Sequence, residues 1–282
     1  MKTRALMAVV IAALCLVACK TKGGKSENVS VPADSLETEM LCIHLDTLIT
    51  GPYAFEIDLG LEYIVDERIP IEVRERLNKG IVRETFSDEY VDKLPFDEAI
   101  EAEANDIIDQ FTEEIAELFD PEEDPYFGTD EDGQAYSSYH LSGEIGYETP
   151  VGFISYTITG DEYSYGAAHG YYYIGVLLFD LTDGRCLHES DLFVEGYEAK
   201  LTELLGKYVE NFEYYEEGFL MVDEIVPNGN FAVDEEGITY FFNPYEITAY
   251  AYGIVDITIP WEEIEPLLKP EIDARFFETV EK

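Results

Sequence analysis

The apolar positions of this chain switch between a period of two residues and a period of three to four, and these switches outline its elements. From Tyr53 the run Tyr-Ala-Phe-Glu-Ile-Asp-Leu-Gly-Leu-Glu-Tyr-Ile-Val alternates and is rich in strand formers. Pro70 opens a predicted helix to about Phe86, because proline fits a first helical turn, where its missing N–H loses no partner. Over Phe96–Phe119 the residues Ile100, Ala104, Ile107, Phe111, Ile115 and Leu118 recur at helical spacing, with acids on the opposite side. Asp97, Glu98 and Glu101 stand at its N-terminal end, where the helix dipole favours anions.

From Tyr136 the pattern reads as strands: Tyr136–Glu148, Val151–Thr159 and Tyr171–Leu181. Asp183-Gly184, between Phe179-Asp180-Leu181 and Cys186-Leu187, predicts a tight hairpin. Leu201, Leu204, Leu205, Tyr208, Val209 and Phe212 form the stripe of a second amphipathic helix. Phe231–Val233 and Ile238–Phe242 flank Glu236-Gly237 as another hairpin, and Val255, Ile257 and Ile259 alternate with polar residues in a half-buried strand. Pro260-Trp261 starts a short closing helix to about Leu268.

Strands and helices come in blocks rather than in alternation, which predicts an α+β fold with largely antiparallel sheets. Two main amphipathic helices pack on them, in two intimately packed subdomains over residues 41–165 and 166–282. The Asp120–Gly133 stretch reads as a solvated acidic turn. Gly128 stands where a six-residue run ending at Gly133 needs its first Asp, and Leu141, the twelfth position counted from Asp130, stands where the bidentate Glu is needed.

The N-terminus adds the compartment. Lys2 and Arg4 precede a short apolar run from Ala5 to Leu14, too short for a comfortable membrane span and fitting an export signal over residues 1–18. Leu16-Val17-Ala18-Cys19 is similar to a bacterial lipobox, which implies cleavage before Cys19 and acylation there, with residues 19–40 as a flexible tether. No acidic run follows Cys19, so the expected location is the outer membrane, facing the periplasm. Cys42 and Cys186 are the thiols left over. They either pair in an oxidising envelope or stay apart as small hydrophobes, and without a clustered His pair they make a poor metal site.

Charge narrows the partners. With 17 Lys+Arg against 61 Asp+Glu the net charge is −44, and loss of Lys2 and Arg4 with the leader takes it to −46. Such a field repels phosphate backbones, so no nucleic acid is expected, whereas cationic partners are drawn in. With 46% hydrophobic and 13% aromatic residues, the chain is too apolar for a disordered acidic polymer.

Three stretches carry a family resemblance. They are Tyr163-Ser164-Tyr165-Gly166-Ala167-Ala168-His169-Gly170, then Asn230-Phe231 with Gly237-Ile238-Thr239-Tyr240-Phe241, and then Phe242-Asn243-Pro244-Tyr245-Glu246-Ile247-Thr248-Ala249-Tyr250-Ala251-Tyr252-Gly253. Over roughly residues 41–268 the chain resembles a bacterial envelope family of unknown-function domains. These pair a domain found ahead of PdaC-type peptidoglycan deacetylase modules with one from RsiV-type anti-sigma factor ectodomains, which bind lysozyme. Ala167 departs from the family's second glycine. Neither a sigma-binding segment nor a deacetylase module is read in the sequence, so the resemblance implies only a binding or accessory ectodomain.

The candidate chemistry is recognition. Gly166 and Gly170 bracket His169 and permit a tight turn. Tyr163, Tyr165, Tyr171 and Tyr172 around it offer rigid apolar faces with hydroxyls, suited to proteins and sugars. The plainer alternative, which is favoured for His169, is a histidine that bonds locally to hold the turn beside strand tyrosines. Tyr245, Tyr250 and Tyr252 are expected to be buried with bonded hydroxyls in a structural crossing. His44, His140, His169 and His188 show no metal or protease spacing, and neither a Gly-x-Ser-x-Gly elbow nor a phosphate loop is present. No catalytic residue, cofactor or metal is therefore expected. The expected function is a lipid-anchored binding protein for a cationic, lysozyme-like protein or a cell-wall component. The alternatives are a carboxylate-based hydrolase of envelope glycans and a structural accessory lipoprotein.

Overall fold

The computed structural model describes residues 15–17, 36–48, 53–118, 135–149 and 152–277. Its fold is α+β, built on a seven-stranded sheet in sequential order and a three-stranded sheet. Strands β1 (Cys15–Val17), β2 (Thr38–Leu48) and β3 (Tyr53–Ile64) pair antiparallel. Period-two alternation puts Phe55, Ile57, Leu59 and Leu61 of β3 on one buried face. Helices α1 (Ile71–Thr85) and α2 (Phe96–Leu118) pair with that face, with Leu77, Ile81, Ile100 and Ala104 buried in the shared core. Phe55 stacks on Phe111 of α2 at 3.8 Å between ring centroids.

These two helices form the crossover that lets β3 run parallel to β4 (Ala135–Glu148), the one parallel pair among the described strands. Strands β5 (Phe153–Tyr163), β6 (Tyr171–Asp180) and β7 (Cys186–Leu187) continue antiparallel, the last through the expected hairpin, with Gly184 at φ 77°. The 165/166 division expected from the sequence thus falls in the loop between two paired strands of the same sheet.

After α3 (Glu189–Leu192) and α4 (Glu198–Tyr208) come β8 (Phe231–Val233), β9 (Gly237–Phe242) and β10 (Val255–Pro260), which form the small sheet in the order β10-β9-β8. Helices α5 (Trp261–Ile264) and α6 (Pro270–Phe277) close the chain. Leu201, Leu204 and Leu205 of α4 bury against the small sheet in a second core, which Phe153, Leu178 and Leu187 of the large sheet also enter. The two halves therefore share apolar surface.

Two asparagines and one ion pair join the halves. β7 covers only Leu178 and Phe179 of β6, leaving backbone groups nearer its start to be met by side chains. Ile174 N–H donates to Asn243 Oδ1 and Val176 N–H to Asn230 Oδ1, both at 2.8 Å, while both asparagine amides donate back to Ile174 O. Polar side chains stand in for a neighbouring strand and cover an exposed sheet edge. Arg275 of α6 donates to both oxygens of Asp180, at 2.6 and 3.1 Å, and lies over the Phe153 ring. Burial opposes ionisation of Asp180, but the Arg275 and Thr182 bonds outweigh it and hold the carboxyl below its usual range.

One sequence reading changes, one helix is added, and one open alternative is decided. The tether expected over residues 19–40 gives way to β2 from Thr38. Helix α6 was not anticipated. The Cys42–Cys186 bridge is not formed: β2 and β7 are five strand spacings apart, about 24 Å, against the roughly 7 Å Cα separation a disulfide can span. Cys186 is a free thiol whose pKa burial, with help from the Glu84 charge, pushes up to about 12. The Asp120–Gly133 turn, Cys19, and the leader apart from the backbone of Cys15–Val17 lie outside the described residues. Among the described residues no helix is long and apolar enough to cross a membrane.

Candidate functional site

The loop from β5 to β6 turns at Gly166, φ 84°, and is anchored by Tyr165 N–H on Ser137 Oγ at 2.8 Å. Tyr163 Oη reaches Ala167 O at 3.5 Å across the same loop. At its end, His169 Nδ1 lies 2.8 Å from Gly170 O. A carbonyl can only accept, so Nδ1 carries a proton, and in the neutral ring Nε2 is left as an acceptor. Tyr245 Oη fills it at 3.2 Å, from 76 residues further along the chain.

The partner segment follows β9. Asn243 docks on β6, and Glu246 N–H closes a turn on Asn243 O. This turn forces Tyr245 to φ 72°, the one positive-φ residue other than glycine among those described. A left-handed tyrosine costs roughly 1–2 kcal/mol. Its side chain is 52% exposed, so packing does not offset that cost. A one-turn 3₁₀ helix at Tyr250–Tyr252 then ends on Gly253, φ 74°, where an added Cβ would lie 3.2 Å from Tyr172 Oη.

The two segments meet in one aromatic surface. The His169 ring stacks on Tyr250 at 4.0 Å, Tyr245 flanks Tyr250 at 5.6 Å, and Tyr172 meets its edge at 5.5 Å. Tyr250 Oη donates to Gly170 O at 2.8 Å; partial desolvation and the neighbouring Tyr172 and Tyr245 raise its pKa, keeping it a donor. Exposed carboxylates stand around the surface: Asp161, Glu162 and Glu246, with Glu216 accepting from Tyr252 Oη.

Of the tyrosines singled out in the sequence, the structure brings Tyr172 to His169. Tyr171 stacks with Tyr173, which turns to the helix-covered side, and Tyr163 and Tyr165 anchor the loop. His169 does bond locally, as expected of a turn histidine, while also presenting its ring outward. The expectation for Tyr245, Tyr250 and Tyr252 is half corrected. All three hydroxyls are bonded, but Tyr245 is exposed and no residue of the Tyr250–Tyr252 turn is buried.

Sequence reasoning missed a second feature beside this surface. Strand register lines up His44, Asp58, His140, Asp161 and Tyr172 across β2 to β6, on the sheet face away from the helices. His140 Nδ1 lies 2.9 Å from Asp161 Oδ2 and its Nε2 3.9 Å from Glu56 Oε1. A cleft of about 470 Å³ opens here, lined by Asp58, Gly60, His140, Ser142, Thr159 and Tyr172 among others, and bounded by Ile254 from the small-sheet half. No motif spacing signals it, because only the register of separate strands brings these residues together. Among the described residues no group of three or more His, Cys, Asp or Glu could hold a metal ion.

Comparison with known proteins gives a family match but no activity. Residues 190–262 match the family model described as "Protein of unknown function (DUF3298)". This span contains Asn230, Asn243, Tyr245 and Tyr250, and excludes the His169 loop. No curated protein matches the sequence. The crystal structure of a DUF3298 family member from Bacteroides fragilis NCTC 9343 is similar at TM-score 0.72 and 23% identity, covering 86% of this chain and 97% of that one. A DUF3298 family protein from Pseudomonas aeruginosa PAO1 is similar at TM-score 0.50 and 16% identity, covering 85% and 97%. This chain shares its fold with these structures, and its second half carries a DUF3298 match.

Proposed function

We propose that this chain is a non-catalytic binding protein of the bacterial envelope, lipid-anchored through Cys19 at the outer membrane and facing the periplasm, so that β1 leaves with the cleaved leader and β2 becomes the edge of the mature sheet. Its His169–Tyr250–Tyr245–Tyr172 surface captures a cationic protein of lysozyme type. The observation that carries this reading is Tyr245, a strained and half-exposed tyrosine whose hydroxyl is tied to an exposed histidine. Strain of this kind persists at sites where function, rather than packing, requires the side chain.

The surroundings suit a basic partner. Tyrosine faces accept arginine and lysine through cation–π contact, and the carboxylates around them pair with the same groups. A net charge of −46 after loss of the leader steers such a partner in. The resemblance to RsiV-type ectodomains supports lysozyme as the partner class.

The test is binding of a basic lysozyme to the purified protein and to His169→Ala and Tyr250→Ala. Each variant is expected to lose at least about tenfold in affinity, the scale of a truncated aromatic anchor, with an unchanged circular-dichroism spectrum. Unchanged affinity in both would remove this surface from the reaction.

A further inference from the structure

The cleft beside the aromatic surface has a property that packing does not explain. Its floor includes Gly60, in the middle of β3, and Gly160, in β5. A Cβ at Gly160 would run into the Tyr173 ring at 2.3 Å, so the packed side of the sheet requires that glycine. A Cβ at Gly60 would meet only Met40 Sδ, at 3.8 Å, an ordinary contact, and its φ is not positive. Nothing inside the fold demands a glycine there, although glycine weakens a strand interior. Glycine at such a position fits the close approach of something that lies outside the chain.

The walls specify what that is. Asp58 and Asp161 are half-exposed carboxylates across from each other, with His140 between them held by Asp161, and Glu56 is the next carboxylate beyond. Among the described residues no lysine or arginine lines the cleft. Ser142 and Thr159 add hydroxyl acceptors on the floor, while Tyr172 and Ile254 give one wall an aromatic and an aliphatic surface. Carboxylates at one end and an aromatic-aliphatic wall along the side match a cation carried on an apolar stem.

We propose that this cleft is a pocket for one guanidinium or alkylammonium group, as presented by an arginine or lysine side chain. The proposal deepens the reading of a basic protein partner by naming the group that anchors it. Tyr172 serves both features, through its edge contact with Tyr250 on one side and the cleft on the other. A partner lying on the aromatic surface would thus have an anchor within reach.

The experiment is a titration of the purified full chain with N-acetyl-arginine amide, followed by NMR on the His140 and Tyr172 side chains. The neutral isostere N-acetyl-citrulline amide is the control. Saturable, millimolar binding of the arginine compound alone is expected. Gly60→Leu fills the cleft and is expected to abolish that binding while the melting temperature holds or rises. Asp161→Asn is expected to weaken it about tenfold, on the scale of one lost charge near a protein surface. Equal response to both compounds, no saturation, or saturable binding of an uncharged N-acetylglucosamine oligomer instead would each overturn the proposal. Failure here, with lysozyme still bound by the unmodified protein, would leave the aromatic surface standing. The reverse outcome would leave the pocket standing.

Discussion

Replacing Asn243 with alanine separates the two sheets where they are held by side chains rather than by strand pairing. Asn243 Oδ1 accepts from Ile174 N–H at 2.8 Å, and its Nδ2 donates to Ile174 O at 3.1 Å. Asn230 donates to the same carbonyl at 2.9 Å, so that oxygen keeps a partner after truncation, whereas the Ile174 N–H does not. A neutral hydrogen bond contributes about 1 kcal/mol net, and an orphaned buried donor costs about 1–3 kcal/mol. Because the site is only partly buried, we expect a loss of about 2 kcal/mol. Urea unfolding reads this as a lower midpoint at unchanged slope; with a slope near 3 kcal/mol per M the midpoint falls by roughly 0.7 M. Asn243→Asp keeps an acceptor for Ile174 N–H but sets a carboxylate against Ile174 O, and should fall lower still. Asn243→Ala within about 0.5 kcal/mol of the parent would mean that water replaces the side chain and the suture is incidental.

Three further outcomes follow from individual residues. The carboxyl of Asp180 is held below its usual range, so the stability it contributes is present above the unfolded aspartate pKa near 4 and is lost as pH falls through the lower folded value. Arg275→Met removes the bonds that lower it, and melting temperatures measured between pH 7 and pH 3 should then show a smaller acid-dependent drop, starting from a lower neutral value. Gly253→Ala places a Cβ against Tyr172 Oη at φ 74° and ψ −151°, a backbone region held almost only by glycine, and calorimetry should record a loss of about 1–3 kcal/mol. Cys186, with its thiol pKa near 12, should resist iodoacetamide at pH 8 in the native state and react once unfolded, as mass spectrometry would read; rapid native labelling would show the strand β7 edge to be open.

Periodicity reached the elements that bury one face. The stripe from Ile100 to Phe111 and the alternation of Val255, Ile257 and Ile259 both mark surfaces that must meet a core, and both stand where expected. Strand β2 was hidden because its leading residues continue a polar stretch after the leader, and its pairing with β3 is decided by the partner strand. The His169 loop and the Tyr245–Tyr250 stretch were each visible as motifs, but their contact was not, since nothing local places residues 76 apart against one another. The tyrosine-rich start of β6 shows the same limit: alternation tells that Tyr171 and Tyr172 face opposite sides, yet only the helices on one face of the sheet decide which is free. His140 and Asp161 carried no signal at all, because their pairing is set by the register of β4 on β5.

Capture of a basic protein by an aromatic surface in an acidic body is read by calorimetric titration with a basic lysozyme at two salt concentrations. Saturable binding at about 50 mM salt that weakens at least about tenfold by 500 mM is predicted, as steering and carboxylate pairing are screened over a shorter distance. Absence of binding at low salt, or an affinity indifferent to salt, would contradict it.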